Sequence, residues 1–411
     1  MQEDFHYYAT YSAAFLAGYS HEESMAICYS DQFTDVCSET LLKKIDGPPN
    51  AATTQLQLEL MDARTDLIGL QKITRIWSSF HFLPRDLNAK CKAGKRYRSK
   101  YRLICGPNGE LVRDTVKLAK GKGLEAAGIA MHILSDTWAH QYFAGTPSFV
   151  INNTDDYFFE LYDENGEWKR RPIIFHRNVT AGDDPQAVKY IRTIRQVSEY
   201  SIMNLGHGRA GHLPDYSYAR YVYMPAWGKY REVVKDNPSE YYHAYCQMVY
   251  ALRYLRGDVP EFELKTYDFD LVEPYKNEIF EILTKVQTDA SKDWKAFGEK
   301  LSGEKIADFD ASLYEAEYTI AAPASRPETA PGRYFAAAEA QKSMVTDRIF
   351  ASGNWLAGIS KRVDTAEVVK DNLSELAEDA SNLGDSLLDE EDHSVDEVLS
   401  QSATGKGGDE S

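Results

Sequence analysis

Apolar positions recur at helical spacing along most of this chain. The clearest case is residues 124–141, which run without proline after Gly121 and Gly123. Ala126, Ala127, Ile129, Ala130, Met131, Ile133 and Leu134 make most of its circumference apolar, the mark of a buried helix. An N-terminal stretch of alanines and aromatics up to Gly18 predicts a short buried helix. Ser20-His21-Glu22-Glu23 forms a capping box that starts a second helix near Glu22. Two hairpins are expected, over residues 101–113 with the turn at Pro107-Asn108-Gly109, and over residues 158–175 with the turn at Asn165-Gly166.

After Gly257 the pattern changes. Residues 260–274 read as an extended connector, 275–301 as a helix and 321–331 as an alanine- and proline-rich linker. Residues 333–350 and 361–380 then carry amphipathic helical spacing. The expected fold is all-α, a multi-helix core with small β-hairpin insertions. Its predicted divisions are a core over 1–260, a helical extension over 261–380 and an acidic disordered tail over 381–411.

The buried helix carries polar groups that need partners. His132, Asp136 and His140 follow one another at i, i+4 and i+8, within an arc of roughly 80° on one face. Two imidazoles and a carboxylate aimed at one point suit zinc or a similar cation; a core histidine bonded to an aspartate is the alternative. The second helix places Asp31 and Asp35 one turn apart beside Ile27, Phe33 and Val36. Two such acids repel unless a cation is shared, a pKa rises, or both face solvent. His6 lies in the N-terminal helix and His81 in an aromatic run closed by Pro84. His207 and His212 sit in a glycine-rich stretch with Asp215 three residues beyond, so both histidines are candidates there. His21, His176, His243 and His393 have no such company.

In chain order these residues are His6, Asp31 with Asp35, His81, His132, Asp136, His140, His207, His212 and Asp215. That order resembles the zinc-dependent phospholipase C and P1-nuclease superfamily, and most closely the bacterial metallophospholipases C, a group that includes virulence effectors. The resemblance covers about residues 1–260 and rests on ligand order. It implies an all-α hydrolase with two or three zinc ions. Asp136 would bridge two metals, His81 and His132 would complete one site, and His6 would serve the other. His140 with His207 or His212 and Asp215 would hold a third. Asp31, or Asp35 beside it, would orient or deprotonate the attacking water.

The chain departs from that pattern in three places. The superfamily often uses an N-terminal amine as a ligand, whereas here Met1-Gln2-Glu3-Asp4 precedes Phe5, so Asp35 takes that place or two metals suffice. The step from Asp136 to His140 is short, and the late histidines lack the usual His-xxx-Glu. The implied activity is hydrolysis of a phosphatidylcholine-like lipid to diacylglycerol and a phosphorylated head group. Two metals roughly 3.5–4 Å apart would clamp the phosphoryl oxygens. A single-strand nuclease on the same cluster and a non-catalytic structural-zinc protein are the rival readings.

Composition adjusts this picture. Five dispersed cysteines show neither zinc-ligand spacing nor a disulfide framework. No apolar run of about 18 residues exists to span a membrane, and no basic-then-apolar leader is evident. The expectation is a cytoplasmic protein, or one secreted or injected by a specialised route. Of the net charge of −17, residues 375–411 contribute most, with twelve acids and one lysine, which leaves the body only mildly acidic. Against it stands a basic run, Lys90, Lys92, Lys95, Arg96, Arg98, Lys100 and Arg102, able to dock lipid phosphates or, less expected, nucleic acid.

Overall fold

The computed structural model describes residues 1–193 and 197–354. Its centre is the helix Leu124–Ala139, in which every residue after Leu124 is buried. Against it pack the helices His21–Phe33, Asn237–Arg256, Ala330–Ala351 and Glu110–Ala119. The chain enters through a π-helical turn, Asp4–Ala9, that continues as the helix Thr10–Leu16. π-Helical winding is rare and concentrates at functional sites. Phe5 holds this turn in place, edge-on to Tyr241 at 5.0 Å and to Trp294 at 5.8 Å.

Residue chemistry explains the boundaries. The expected box closes on the His21–Phe33 helix: Ser20 Oγ accepts from the Glu23 N–H at 3.2 Å, and Glu23 accepts from the Ser20 N–H at 2.8 Å. Thr329 Oγ1 caps the Ala330–Ala351 helix through the Gly332 N–H at 3.1 Å, with Pro331 in the first turn, where its missing N–H costs nothing.

The all-α expectation is corrected. Among the described residues about 53% are helical and 11% lie in strands. Strands Glu167–Pro172, Thr154–Glu164, Arg220–Pro225 and Val233–Asp236 form, in that order, a four-stranded antiparallel sheet. A two-stranded parallel pair, Ile174–His176 with Lys189–Ile191, lies beside it in sequence. The hairpin turning at Asn165-Gly166 is present, though its strands are Thr154–Glu164 and Glu167–Pro172, and Phe175, expected at its end, pairs with Tyr190 instead. The two added strands come from Arg220-Tyr-Val-Tyr-Met and Val233-Val234, β-branched and aromatic runs that suit a pleated surface.

The other expected hairpin is absent. Residues Lys95–Tyr101 and Glu110–Ala119 are helical instead. Leu111, Val112, Thr115, Val116 and Ala119 bury one helical face, and Pro107-Asn108-Gly109 becomes the lead into that helix. Asn108 Oδ1 accepts from Gln247 at 2.7 Å and from the Lys265 N–H at 2.9 Å, which anchors the loop to the core.

The single helix expected over 275–301 is two, Lys276–Thr284 and Ser291–Ser302. Between them the Ala290 N–H donates to Asp4 Oδ2 at 3.1 Å, a tie to the N-terminal turn that a continuous helix could not make. The connector holds a short helix, Phe269–Val272, and the expected 333–350 helix starts earlier and is the Ala330–Ala351 element. These later helices share the main apolar core with the N-terminal ones through Trp294, Phe297, Tyr334 and Val345. The 361–380 helix and the 381–411 tail fall outside the described residues.

One contact sets the spacing of the two central helices. A Cβ on Gly128 would lie 2.4 Å from the Ile27 carbonyl oxygen, 2.7 Å from Ser30 Cβ and 2.8 Å from the Asp31 nitrogen. Gly128 is one turn before His132, so this close approach is what brings Asp31 to that ring. Gly128→Ala should push the helices apart and cost about 1–3 kcal/mol of stability, measured by denaturant unfolding.

Candidate metal centre

Five elements deliver the site. His6 comes from the π-helical turn, Asp31 and Asp35 from the end of the His21–Phe33 helix, and His81 from the C-cap of the helix Leu67–Phe80. His132 and Asp136 come from the central helix, with His140 at its C-cap; His207 and Asp215 follow on a loop. Lys235, fully buried, donates to the Trp138 carbonyl at 3.0 Å and so pins the end of the central helix to the sheet. A cation at a helix C-terminus is also favoured by the helix dipole.

Each imidazole is steered by an oxygen on its far side. His81 Nε2 donates to the Thr53 carbonyl at 3.1 Å, and His140 Nδ1 to the His81 carbonyl at 2.7 Å. His207 Nδ1 donates to the Gly211 carbonyl at 2.8 Å, and His132 Nδ1 to Asp31 Oδ1 at 3.1 Å. His6 Nδ1 lies 2.9 Å from the same Asp31 oxygen, but neither nitrogen of the buried His6 makes a well-aligned hydrogen bond. A carbonyl can only accept, so it fixes the tautomer and leaves the other ring nitrogen with a lone pair facing inward. Gly211 supplies its carbonyl from a left-handed turn at φ +59°, where a Cβ would strike the Ile191 carbonyl at 2.1 Å.

The inward nitrogens meet other acceptors. His132 Nε2 is 3.2 Å from His81 Nδ1, 3.3 Å from Asp136 Oδ2 and 3.8 Å from Asp35 Oδ1. His81 Nδ1 is 3.3 Å from Asp136 Oδ2 and 3.7 Å from Asp35 Oδ1, and His6 Nε2 is 3.2 Å from Asp136 Oδ1. On the other side His140 Nε2 lies 3.1 Å from Asp215 Oδ1, and His207 Nε2 lies 3.5 Å from Asp215 Oδ2. Lone pairs and carboxylates turned on one another need positive charge between them.

Three triads gather donor atoms that lie within 4.8 Å of one another: His6, Asp35 and His132; His81, His132 and Asp136; and His140, His207 and Asp215. Each triad could hold a metal ion. The donor set of imidazole nitrogen and carboxylate oxygen suits a borderline divalent cation.

Protons supply part of that charge in the structure. The buried α-amino group of Met1 donates to Asp136 Oδ1 at 2.6 Å and to His140 Nε2 at 3.2 Å, with Asp215 Oδ1 at 3.4 Å. Burial opposes its charge, yet Asp136, Asp215 and Asp35 push it up to about 11. His132 is likewise raised to about 10, burial being outweighed by the Asp136 and Asp35 carboxylates. His207 is depressed to about 4 by burial and stays a neutral acceptor at neutral pH. Burial would raise Asp136 and Asp215, but the histidines and the Met1 ammonium hold both well below the usual carboxylate range.

The geometry redistributes three sequence expectations. Asp31 stands behind the rings: it is fully buried, its Oδ2 accepts from Thr10 Oγ1 at 2.6 Å and its Oδ1 serves His132. Asp35 faces the centre, with 32% of its side chain exposed. His212 is not in the cluster. Its ring is 52% exposed and bonds Asp183 Oδ2 at 3.1 Å, so of the late pair only His207 turns inward. The Met1 amine, expected to fall short of the site, reaches it. His21 and His243 stay outside, on Tyr11 Oη at 2.7 Å and the Ser239 carbonyl at 2.8 Å.

With this arrangement in view, the comparisons give one match. The model of a family of unknown function, DUF6765, matches residues 1–349. The chain belongs to that family. No curated protein and no solved structure matches it. The family's span contains every member of the cluster together with the later helices that close the core.

The assignment of His207 over His212 is open to measurement. His207→Ala should lower the stoichiometry or affinity of bound divalent metal by about tenfold or more, while His212→Ala should leave both within about twofold. Equilibrium dialysis with elemental analysis reads the difference. Loss of metal in His212→Ala alone would reverse the assignment.

Proposed function

We propose that this protein is a metal-dependent phosphodiester hydrolase, and specifically a zinc-dependent phospholipase C. The observation that carries the reading is the set of inward ring nitrogens, those of His81, His132, His140 and His207 fixed by an oxygen behind the ring, converging with Asp35, Asp136 and Asp215 in three triads, two of which share His132. The resemblance in ligand order to the zinc-dependent phospholipase C and P1-nuclease superfamily points the same way, now with the Met1 amine beside His140 and Asp215.

The residues fit zinc. His132 has one inward nitrogen, so it would hold a single ion together with either His81 and Asp136 or His6 and Asp35, and His140, His207 and Asp215 would hold another. Zinc bound there supplies Lewis acidity toward a phosphoryl oxygen and lowers the pKa of water to about 7. Asp31 fixes the His132 ring and, with Thr10 behind it, keeps that ring from rotating. Asp35, the partly exposed acid of the cluster, orients a water for in-line attack on phosphorus and accepts its proton. The solvent access of Asp35 and, to a lesser degree, of His207 favours a reactive site over a closed structural one.

A phospholipid with a phosphocholine-like head group is the substrate this reading names, cleaved on the glycerol side to release diacylglycerol. No helix among the described residues is long and apolar enough to cross a membrane, so such a lipid would be met from the aqueous side.

Asp136→Asn should abolish turnover and bind at least one metal fewer while the circular dichroism stays helical. Phosphatidylcholine and single-stranded DNA, each with and without chelator, separate the phospholipase from a nuclease. DNA cleavage alone moves the protein to the nuclease branch, and activity untouched by chelation sinks both. Metal must also displace protons held by His132 and the Met1 amine, whose pKa values lie above neutrality. Zinc affinity should therefore climb by about tenfold or more per pH unit between roughly 6 and 8. An affinity flat across that range would mean that zinc does not displace the protons of His132 and the Met1 amine.

A further inference from the structure

The segment that joins two parts of the centre is unusually apolar on its outside. Thr53 lends its carbonyl to His81, and the chain between them passes through the helix Gln57–Ala63 and into the helix Leu67–Phe80. The first helix buries none of its residues. Leu58 is 75% and Ile68 80% exposed, and Leu56, Met61 and Leu67 each expose more than a third of their surface. Scattered single apolar residues on a surface need no explanation, but five within thirteen positions do. Only Leu60 and Ala63 turn inward, onto Leu70, Ile73 and Trp77.

Trp77 also joins this segment to the basic stretch. It packs on the second apolar cluster as well, and Ala89, Cys91 and Ala93 of the basic stretch pack on that same cluster. Between Arg85 and Arg102 there are eight basic residues and one acid, on a chain whose net charge is −17; Lys90, Lys92 and Lys95 of these are exposed, while Lys100 is buried. Lys100 pairs with Glu199, and Tyr200 beside it packs onto the Leu70–Ile73 cluster, which ties the basic stretch to the apolar one from the other side. Exposed aliphatic side chains next to a block of positive charge complement an anionic bilayer surface, with acyl chains for the first and head-group phosphates for the second. Nucleic acid would use the charge and leave the leucines wet.

We propose that Leu56–Ile68 together with the 85–102 stretch forms a docking surface for bilayers that contain anionic lipid, which sets the metal centre against the membrane face. The proposal rests on the phospholipase reading for its purpose, though the surface itself is independent of catalysis.

The test uses the full chain with EDTA and sedimentation with phosphatidylcholine vesicles containing about one quarter phosphatidylglycerol. Wild type should bind these vesicles and release them at high salt. Leu58→Ser with Ile68→Ser should weaken binding about tenfold or more, and Lys92→Glu should weaken it several-fold. With zinc restored, the serine pair should lose hydrolysis of vesicle lipid but keep hydrolysis of the water-soluble p-nitrophenylphosphorylcholine within about twofold, since neither residue belongs to the metal centre. Wild type that ignores vesicles, or serine variants that bind as tightly, would overturn the surface and leave the hydrolase reading intact. Binding without cleavage of either substrate would do the reverse. Light scattering that shows a dimer dissolved by the serine pair would assign the patch to a second copy of the chain and also overturn the proposal.

Discussion

Burying acceptors against acceptors is the constraint on which this structure turns. Four of the cluster's imidazoles have already given one ring N–H to an oxygen outside the centre, and what remains is lone pairs and carboxylates in a space with little solvent. Such a cluster is unstable without positive charge, because an unpaired buried carboxylate costs several kcal/mol even after relaxation. In the structure an ammonium and an imidazolium supply it, which explains why Met1 and His132 hold their protons so far above neutrality. Divalent cations would do the same work with more charge per atom. The fold is thus built around a set of ligands it must satisfy.

The surrounding architecture follows from keeping those rings still. The glycine contact at Gly128 sets the distance between the two helices that carry Asp31 and His132, and Lys235 clamps the end from which His140 projects. Phe82 stacks on His140 at 4.6 Å, and His6 stacks on His132 at 3.9 Å, so aromatic faces limit rotation where hydrogen bonds do not. The sheet contributes no ligand. Its Lys235 and its packing against the His207 loop through Phe143 and Tyr223 make it a brace for the side of the site that the helices leave uncovered.

What was legible in the sequence was the part that obeys a local period. His132 and Asp136 share a helix face, so their convergence could be read from spacing alone, and His140 extends the series although it sits at the cap. Asp31 and Asp35 were visible as a pair, but which one faces the centre depends on where the helix His21–Phe33 ends. Asp31 lies inside it and Asp35 in the turn after it, a boundary no period reveals. His207 and His212 are indistinguishable by composition; the left-handed turn at Gly211 that captures the His207 ring decides between them. The carbonyls of Thr53, His81 and Gly211 carry no sequence signal, because every residue has one. The four-stranded sheet has no local signal for a related reason: Arg220–Pro225 and Val233–Asp236 are short, and the first of them pairs with Thr154–Glu164, a partner far away in sequence.

The arrangement also bears on why Asp31 and Asp35 differ in exposure. A carboxylate that orients a ring must be dry and fully bonded, since any water competing for its oxygens loosens the ring it holds. A carboxylate that takes a proton from water must be wet enough to reach that water and to release the proton afterwards. One turn of chain, with the helix ending between them, separates the two requirements: Asp31 is sealed by Thr10 and His132, and Asp35 opens to solvent. Thr53, which holds His81 from behind, leads within a few residues to Leu56 and Leu58, so the centre and the apolar patch are joined by one short stretch of chain. Under the proposed phospholipase activity that connection would have a purpose, because the phosphorus of an aggregated lipid arrives with acyl chains attached.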